Sequence, residues 1–125
     1  MDEELIKVGR YNQEYNELLG LNLDKHDIYY SPGIEIHMRK RHHIDCILYI
    51  SRLNEIIDSP DYVGKSPKEP DSIELVKKFD KHVMVGIKID TSRSYMYVST
   101  MYCIQDSKVS NRVNGGRLKK LKSDD

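Results

Sequence analysis

Between Val83 and Ile104 the chain repeats with a period of two, and nothing else in it constrains the fold as tightly. Val83, Val85, Ile87 and Ile89 alternate with Met84, Gly86 and Lys88, and Tyr95 to Ile104 is rich in Tyr, Val and Thr. Asp90 to Ser94 is polar and reads as the turn between them. Successive side chains of a strand point to opposite faces, so residues 82–89 and 95–104 are expected to pair as an antiparallel hairpin. Strict alternation puts Met96, Val98, Thr100, Tyr102 and Ile104 on one face of the second strand. Tyr95, Tyr97, Ser99, Met101 and Cys103 then share the other.

Upstream the spacing is helical. Leu5, Val8, Tyr15, Leu18 and Leu19 predict an amphipathic helix over 3–19 that stops at Gly20. Residues 21–30 read as a loop with a short strand. Ser31-Pro32-Gly33 is a turn signal, and a core helix should begin near Ile34. Ile47, Ile50, Leu53, Ile56 and Ile57 mark a second helical stretch over 44–57, ended near Pro60. Residues 65–71 read as an exposed loop. Ser72 to Val76 is too short to classify and is taken as a helical turn. Residues 107–121 suggest a short helix ending at Gly115-Gly116, then a basic strand or tail. Helices first and strands later is the α+β pattern, with N-terminal helices packed on an antiparallel β-sheet. The expected divisions are a helical extension over 1–27, one domain over 28–121 and a tail over 122–125.

A length of 125 residues suits one domain. Net charge is zero, against a generic polyanion sponge, but the charge is uneven. Residues 1–30 hold seven acids and three bases, whereas residues 108–122 hold six bases and no acid. Cys46 and Cys103 lie in apolar runs without a CxxC spacing and read as reduced core residues. Met1-Asp2-Glu3-Glu4 resembles no secretory leader, and no apolar run approaches membrane length. A cytoplasmic protein without membrane contact is expected.

The densest chemical signal is His37-Met38-Arg39-Lys40-Arg41-His42-His43. Histidine titrates near neutrality, and flanking cations can hold a phosphate beside it. On a helix His37 and Arg41 share a face. The His spacings of five and six, crowded by cations, disfavour a metal site, and no metal or cofactor is expected. No nucleophile elbow or phosphate loop is present. Cleavage of RNA needs only general acid–base groups, a cation and a hydroxyl, because the 2′-hydroxyl is a built-in nucleophile. Tyrosines, of which there are nine, suit stacking on unpaired bases.

Four ordered blocks carry a family resemblance: Ile34 to His42, Ile56 to Gly64, Tyr95 to Tyr102, and Gly116 to Lys120. Together they resemble a phage-associated nuclease family of the barnase–EndoU–colicin–RelE (BECR) superfamily, over residues 28–121. The resemblance implies a BECR fold with helices on one sheet face and RNA approaching the other. It also implies a metal-independent endoribonuclease of the toxin or phage-effector kind. The catalytic set it implies is His37, Arg41, His42 and Thr100. Alternation alone favours Ser99 as the hydroxyl, because it shares a face with Tyr95 and Tyr97. Lys40, Lys88, Tyr97, Tyr102, Lys108, Arg117, Lys119 and Lys120 are expected to bind substrate. RNA is the expected partner, with an inhibitory or immunity protein as a further candidate. A catalytically inactive RNA- or protein-binding module of the same fold is the alternative; a DNA-binding regulator lacks a basic recognition helix.

Overall fold

The computed structural model describes residues 5–40, 44–69, 71–90 and 95–121, and the elements below are those of the described residues. The strands are β1 (Ile6–Arg10), β2 (Asp27–Tyr30), β3 (Tyr62–Lys65), β4 (Ser72–Lys78), β5 (His82–Asp90), β6 (Tyr95–Ile104) and β7 (Leu118–Lys120). They form one sheet in the order β1-β2-β6-β5-β4-β3-β7. The hairpin forms as the alternation predicts: β5 and β6 pair antiparallel from His82↔Ile104 to Asp90↔Tyr95. The sheet is nevertheless mixed, because β2 joins β6 in parallel at Ile28↔Met96 and Tyr29↔Tyr97.

Three other expectations are corrected. Residues 3–19 do not form one helix: Ile6–Arg10 is β1, and only Tyr15–Leu19 is helical (α1), closed by Gly20 at φ 66°. The apolar residues have helical spacing, but pairing with β2 supplies partners for backbone groups that an isolated helix would have to satisfy itself. A strand therefore comes first, and residues 6–10 belong to the sheet rather than to a helical extension. Ser72–Val76 is not a helical turn but part of β4, between β3 and β5. Its first five residues are all buried, with Ile73 and Leu75 in the main core and Val76 under α4. The polar–apolar alternation runs only from Ser72 to Leu75 and breaks at Val76, too short to mark a strand. The stretch 44–57 is helical in two pieces, a 3-10 segment (Ile44–Arg52) and an α-helix, Leu53–Asp58.

Numbering helices in chain order, α2 is Gly33–Lys40, α3 is Leu53–Asp58 and α4 is Asp106–Asn114. The first three helices and the 3-10 segment pack on one sheet face. Ile34, Met38, Tyr49, Leu53 and Ile56 meet Leu75, Val83, Val85, Ile87, Met96, Val98 and Met101 there. The opposite face is covered at one end by α4, whose Val109 packs with Val76, Met84, Ile104 and Leu118. His82 anchors that end: its Nδ1 lies 2.6 Å from Asp106 Oδ1, at the N-terminus of α4, where a carboxylate is favoured. Cys46 and Cys103 are free, with their sulfurs 2.8 Å apart. Burial raises both thiol pKa values.

The hairpin departs from strict alternation at one point. Gly86 pairs with Thr100 while Ile87 pairs with Val98, so Ser99 is an extra, bulged residue. The bulge reverses the parity of everything after it. Val98 and Met101 both enter the helix-side core, and Thr100, Tyr102 and Ile104 move to the face of Tyr95 and Tyr97. Thr100 is thus not on the face of Val98, as alternation had it.

Candidate active site

α2 begins where the chain leaves β2. Pro32 follows Ser31, whose hydroxyl accepts a hydrogen bond from the Gly33 N–H at 3.1 Å. Ile34 and Met38, four residues apart, are buried, so the helix is held by that stripe and His37 is left exposed. Because β2 pairs with β6 only at Met96 and Tyr97, α2 packs beside β6 directly after that contact.

A cleft of about 560 Å³ opens at this junction. Its lining includes His37 from α2, Ser31 before it, Lys88 and Asp90 from β5, and Tyr95, Tyr97 and Ser99 from β6. Four residues singled out in the sequence therefore converge: His37, Lys88, Tyr97 and Ser99. Ser31, Asp90 and Tyr95 were missed as site residues. The Ser-Pro-Gly signal marked Ser31 as a turn, and Tyr95 was on the correct face, but nothing local points them to a shared cleft.

The polar atoms have defined commitments. Ser99 Oγ donates to the Gly86 carbonyl at 3.1 Å, so its lone pairs face other donors. Lys88 Nζ lies 3.4 Å from Glu69 Oε2, with both side chains partly exposed. Hydrogen bonds from Ser72 and then Lys88 lower the Glu69 pKa. An exposed pair of this kind is weak and exchangeable.

The remaining expected residues do not line the cleft or fall outside the described residues. Lys40 is exposed at the last residue of α2. Arg41 and His42 lie outside the described residues. Thr100 is half-buried and does not line the cleft; its Cγ2 sits over Gly86. Tyr102 packs with the α4 core, away from the cleft. Lys108 is exposed on α4. Arg117 makes a two-pronged pair with buried Glu74, Nε to Oε1 at 2.9 Å and Nη2 to Oε2 at 2.6 Å. That bond to Glu74 raises the Arg117 pKa further. Its donors are committed within the fold, unlike those of Lys119 and Lys120, which are exposed on β7. β7 is four strands from β6 in the sheet, about 19 Å at the usual spacing. Lys119 and Lys120 are therefore remote from His37. Among the described residues no three of His, Cys, Asp and Glu gather as a metal-binding group, and no helix is long and apolar enough to cross a membrane.

A helix-backed mixed sheet with a His, Lys, Ser and Tyr cleft between α2 and the strands β5 and β6 is compatible with a barnase-like nuclease architecture. The chain belongs to the family described as phage-Barnase-EndoU-ColicinE5/D-RelE like nuclease 3, which it matches over residues 6–111. The match takes in β1 and every polar residue lining the cleft but stops before Arg117, Lys119 and Lys120. No curated protein and no solved structure matches the chain.

Proposed function

We propose that this nuclease is a metal-independent endoribonuclease, acting as a phage or toxin-type effector, that leaves a 2′,3′-cyclic phosphate. The reading rests on one observation: His37, Lys88, Ser99 and Tyr97 line a single cleft in a chain of a nuclease family. In the proposed reaction a general base takes the proton of the 2′-hydroxyl, and the 2′-oxygen bonds to the adjacent phosphorus. The bond from phosphorus to the 5′-oxygen breaks, and that oxygen leaves with a proton from a general acid. His37 is one of the two proton-transfer groups. Lys88, released from Glu69, neutralises charge on the phosphorane. Ser99 receives a hydrogen bond from the ribose rather than shuttling a proton, since its own hydrogen is on Gly86. We assign it this role in preference to Thr100, which does not line the cleft. Tyr97 stacks on a base. Arg41 and His42, next in the chain after α2, are proposed as the second cation and second proton-transfer group. An inhibitory or immunity protein is the partner such an activity requires in its own cell.

The test is incubation of purified protein with mixed RNA in EDTA, followed by analysis of the 3′ ends. Cyclic phosphate in the presence of chelator supports the mechanism. Activity that requires a divalent metal, or cleavage of DNA, overturns it. RNA binding without turnover favours the inactive binding module.

A further inference from the structure

Cross-strand register places four side chains in one row on the sheet face opposite the main helical layer. Lys7 of β1 pairs with Tyr29 of β2, Tyr29 with Tyr97 of β6, and Tyr97 with Lys88 of β5. Directly paired residues point to the same face, so the order across the sheet is Lys7, Tyr29, Tyr97, Lys88. Tyr95 joins them: its ring centroid is 5.5 Å from that of Tyr29 and 6.3 Å from that of Tyr97. All three tyrosines are half-buried. Among the described residues the helix on this face is α4, and it packs at the far end with Met84, Ile104 and Leu118.

We infer that this row is a stacking platform for unpaired RNA bases, continuing outward from the His37 cleft. The inference deepens the ribonuclease reading and rests on it. Tyr97 and Lys88 belong both to the cleft and to the row, so a strand whose phosphate sits in the cleft lays its neighbouring bases over Tyr29 and Tyr95. Each end of the row carries a cation that can exchange partners. At one end Lys7 and Arg10 share a single carboxylate, Asp27, at 3.3 and 3.1 Å, leaving that cluster with net positive charge. At the other end Lys88 pairs, among the described residues, with exposed Glu69. Aromatic faces between cations match single-stranded nucleic acid, where bases stack and phosphates pair with charge. Three half-exposed tyrosines could cover about two or three bases, as on other sheets that read single strands. Duplex RNA buries its base faces and cannot use such a platform.

The chain has no Trp, so tyrosine fluorescence reports stacking directly. The probes are a 2′-O-methyl RNA oligonucleotide, which cannot be cut, the same backbone with its bases removed, and a blunt duplex. The base-bearing strand should bind and quench tyrosine emission. The abasic strand and the duplex should bind about 5–100-fold more weakly, the scale of losing a base–aromatic stack. Tyr29→Leu should lose affinity on the same scale for the base-bearing strand but not for the abasic one. Lys7→Gln should flatten the salt dependence by about 0.7 in slope, one phosphate contact on a single strand. Equal binding of abasic and base-bearing strands by the unaltered protein would overturn the platform while leaving the nuclease reading intact. No binding and no cleavage of any RNA would remove both.

Discussion

Ser99 donates a hydrogen bond to the carbonyl of Gly86, 3.1 Å away, at the one place where the β5–β6 hairpin takes an extra residue. That contact sits inside the bulge which sends Thr100 and Tyr102 to the face of Tyr97. A side chain at Gly86 has no room: its Cβ would fall 2.7 Å from Thr100 Cγ2. At Gly64 the obstacle is backbone, with the Arg117 carbonyl oxygen 2.2 Å from such an atom. Thr100 can rotate, whereas the backbone between α4 and β7 must move as a unit. Gly86→Ala should therefore cost about 1 kcal/mol and Gly64→Ala about 3 kcal/mol or more, compared by urea denaturation. Equal costs would contradict this ordering.

His37 is exposed, and no hydrogen bond or ion pair holds it among the described residues, so its removal should act on chemistry alone. His37→Ala is expected to lower the RNA cleavage rate by about 10²–10⁴-fold, the scale for one general acid or base. The melting temperature should stay unchanged. A loss of activity that tracks a loss of stability would make His37 structural.

Arg117 and Lys119 are two residues apart but should respond differently. Arg117→Ala leaves the Glu74 carboxylate buried without its partner. Breaking a buried pair should cost about 3 kcal/mol, at the low end because Arg117 keeps some exposure. Lys119→Ala should leave stability unchanged and weaken RNA binding modestly, with a shallower salt dependence. Thermal melts and binding titrations at two salt concentrations separate the two outcomes.

Alkaline pH should destabilise the fold through two buried tyrosines. Tyr11 donates its phenol to Asn16 Oδ1 at 2.7 Å, and burial raises its pKa to about 12. Burial likewise raises Tyr15 to about 12. Both phenols have an ordinary value of 10.0, so the unfolded chain releases these protons first. Above about pH 10 the unfolded state holds fewer protons than the native state, and stability falls as pH rises. The melting temperature should drop progressively between about pH 10 and 12. Tyr11→Phe should blunt that drop, which a melt series in alkaline buffers would reveal.

The sequence by itself determined the features that depend on neighbouring residues. Alternation specified the hairpin of β5 with β6, Ser31-Pro32-Gly33 marked the start of α2, and Gly115-Gly116 marked the end of α4. It also singled out His37, Lys88, Tyr97 and Ser99 as a list of chemical groups. What turned that list into a cleft was tertiary. β1 is a strand because β2 is present to pair with it, and no local pattern encodes a distant partner. β4 escaped detection because its alternation lasts only from Ser72 to Leu75. Val76, which packs under α4 on the other face, breaks the pattern, and that second cover is a tertiary fact. The facing of Thr100 and Tyr102 turned on a single bulged residue, and a bulge is a property of two strands in register. The same register aligns Lys7, Tyr29, Tyr97 and Lys88, residues scattered over most of the chain. It also sends Lys119 and Lys120 to the other end of the sheet, because strand order is set by which edges bury the most apolar surface together rather than by position along the sequence.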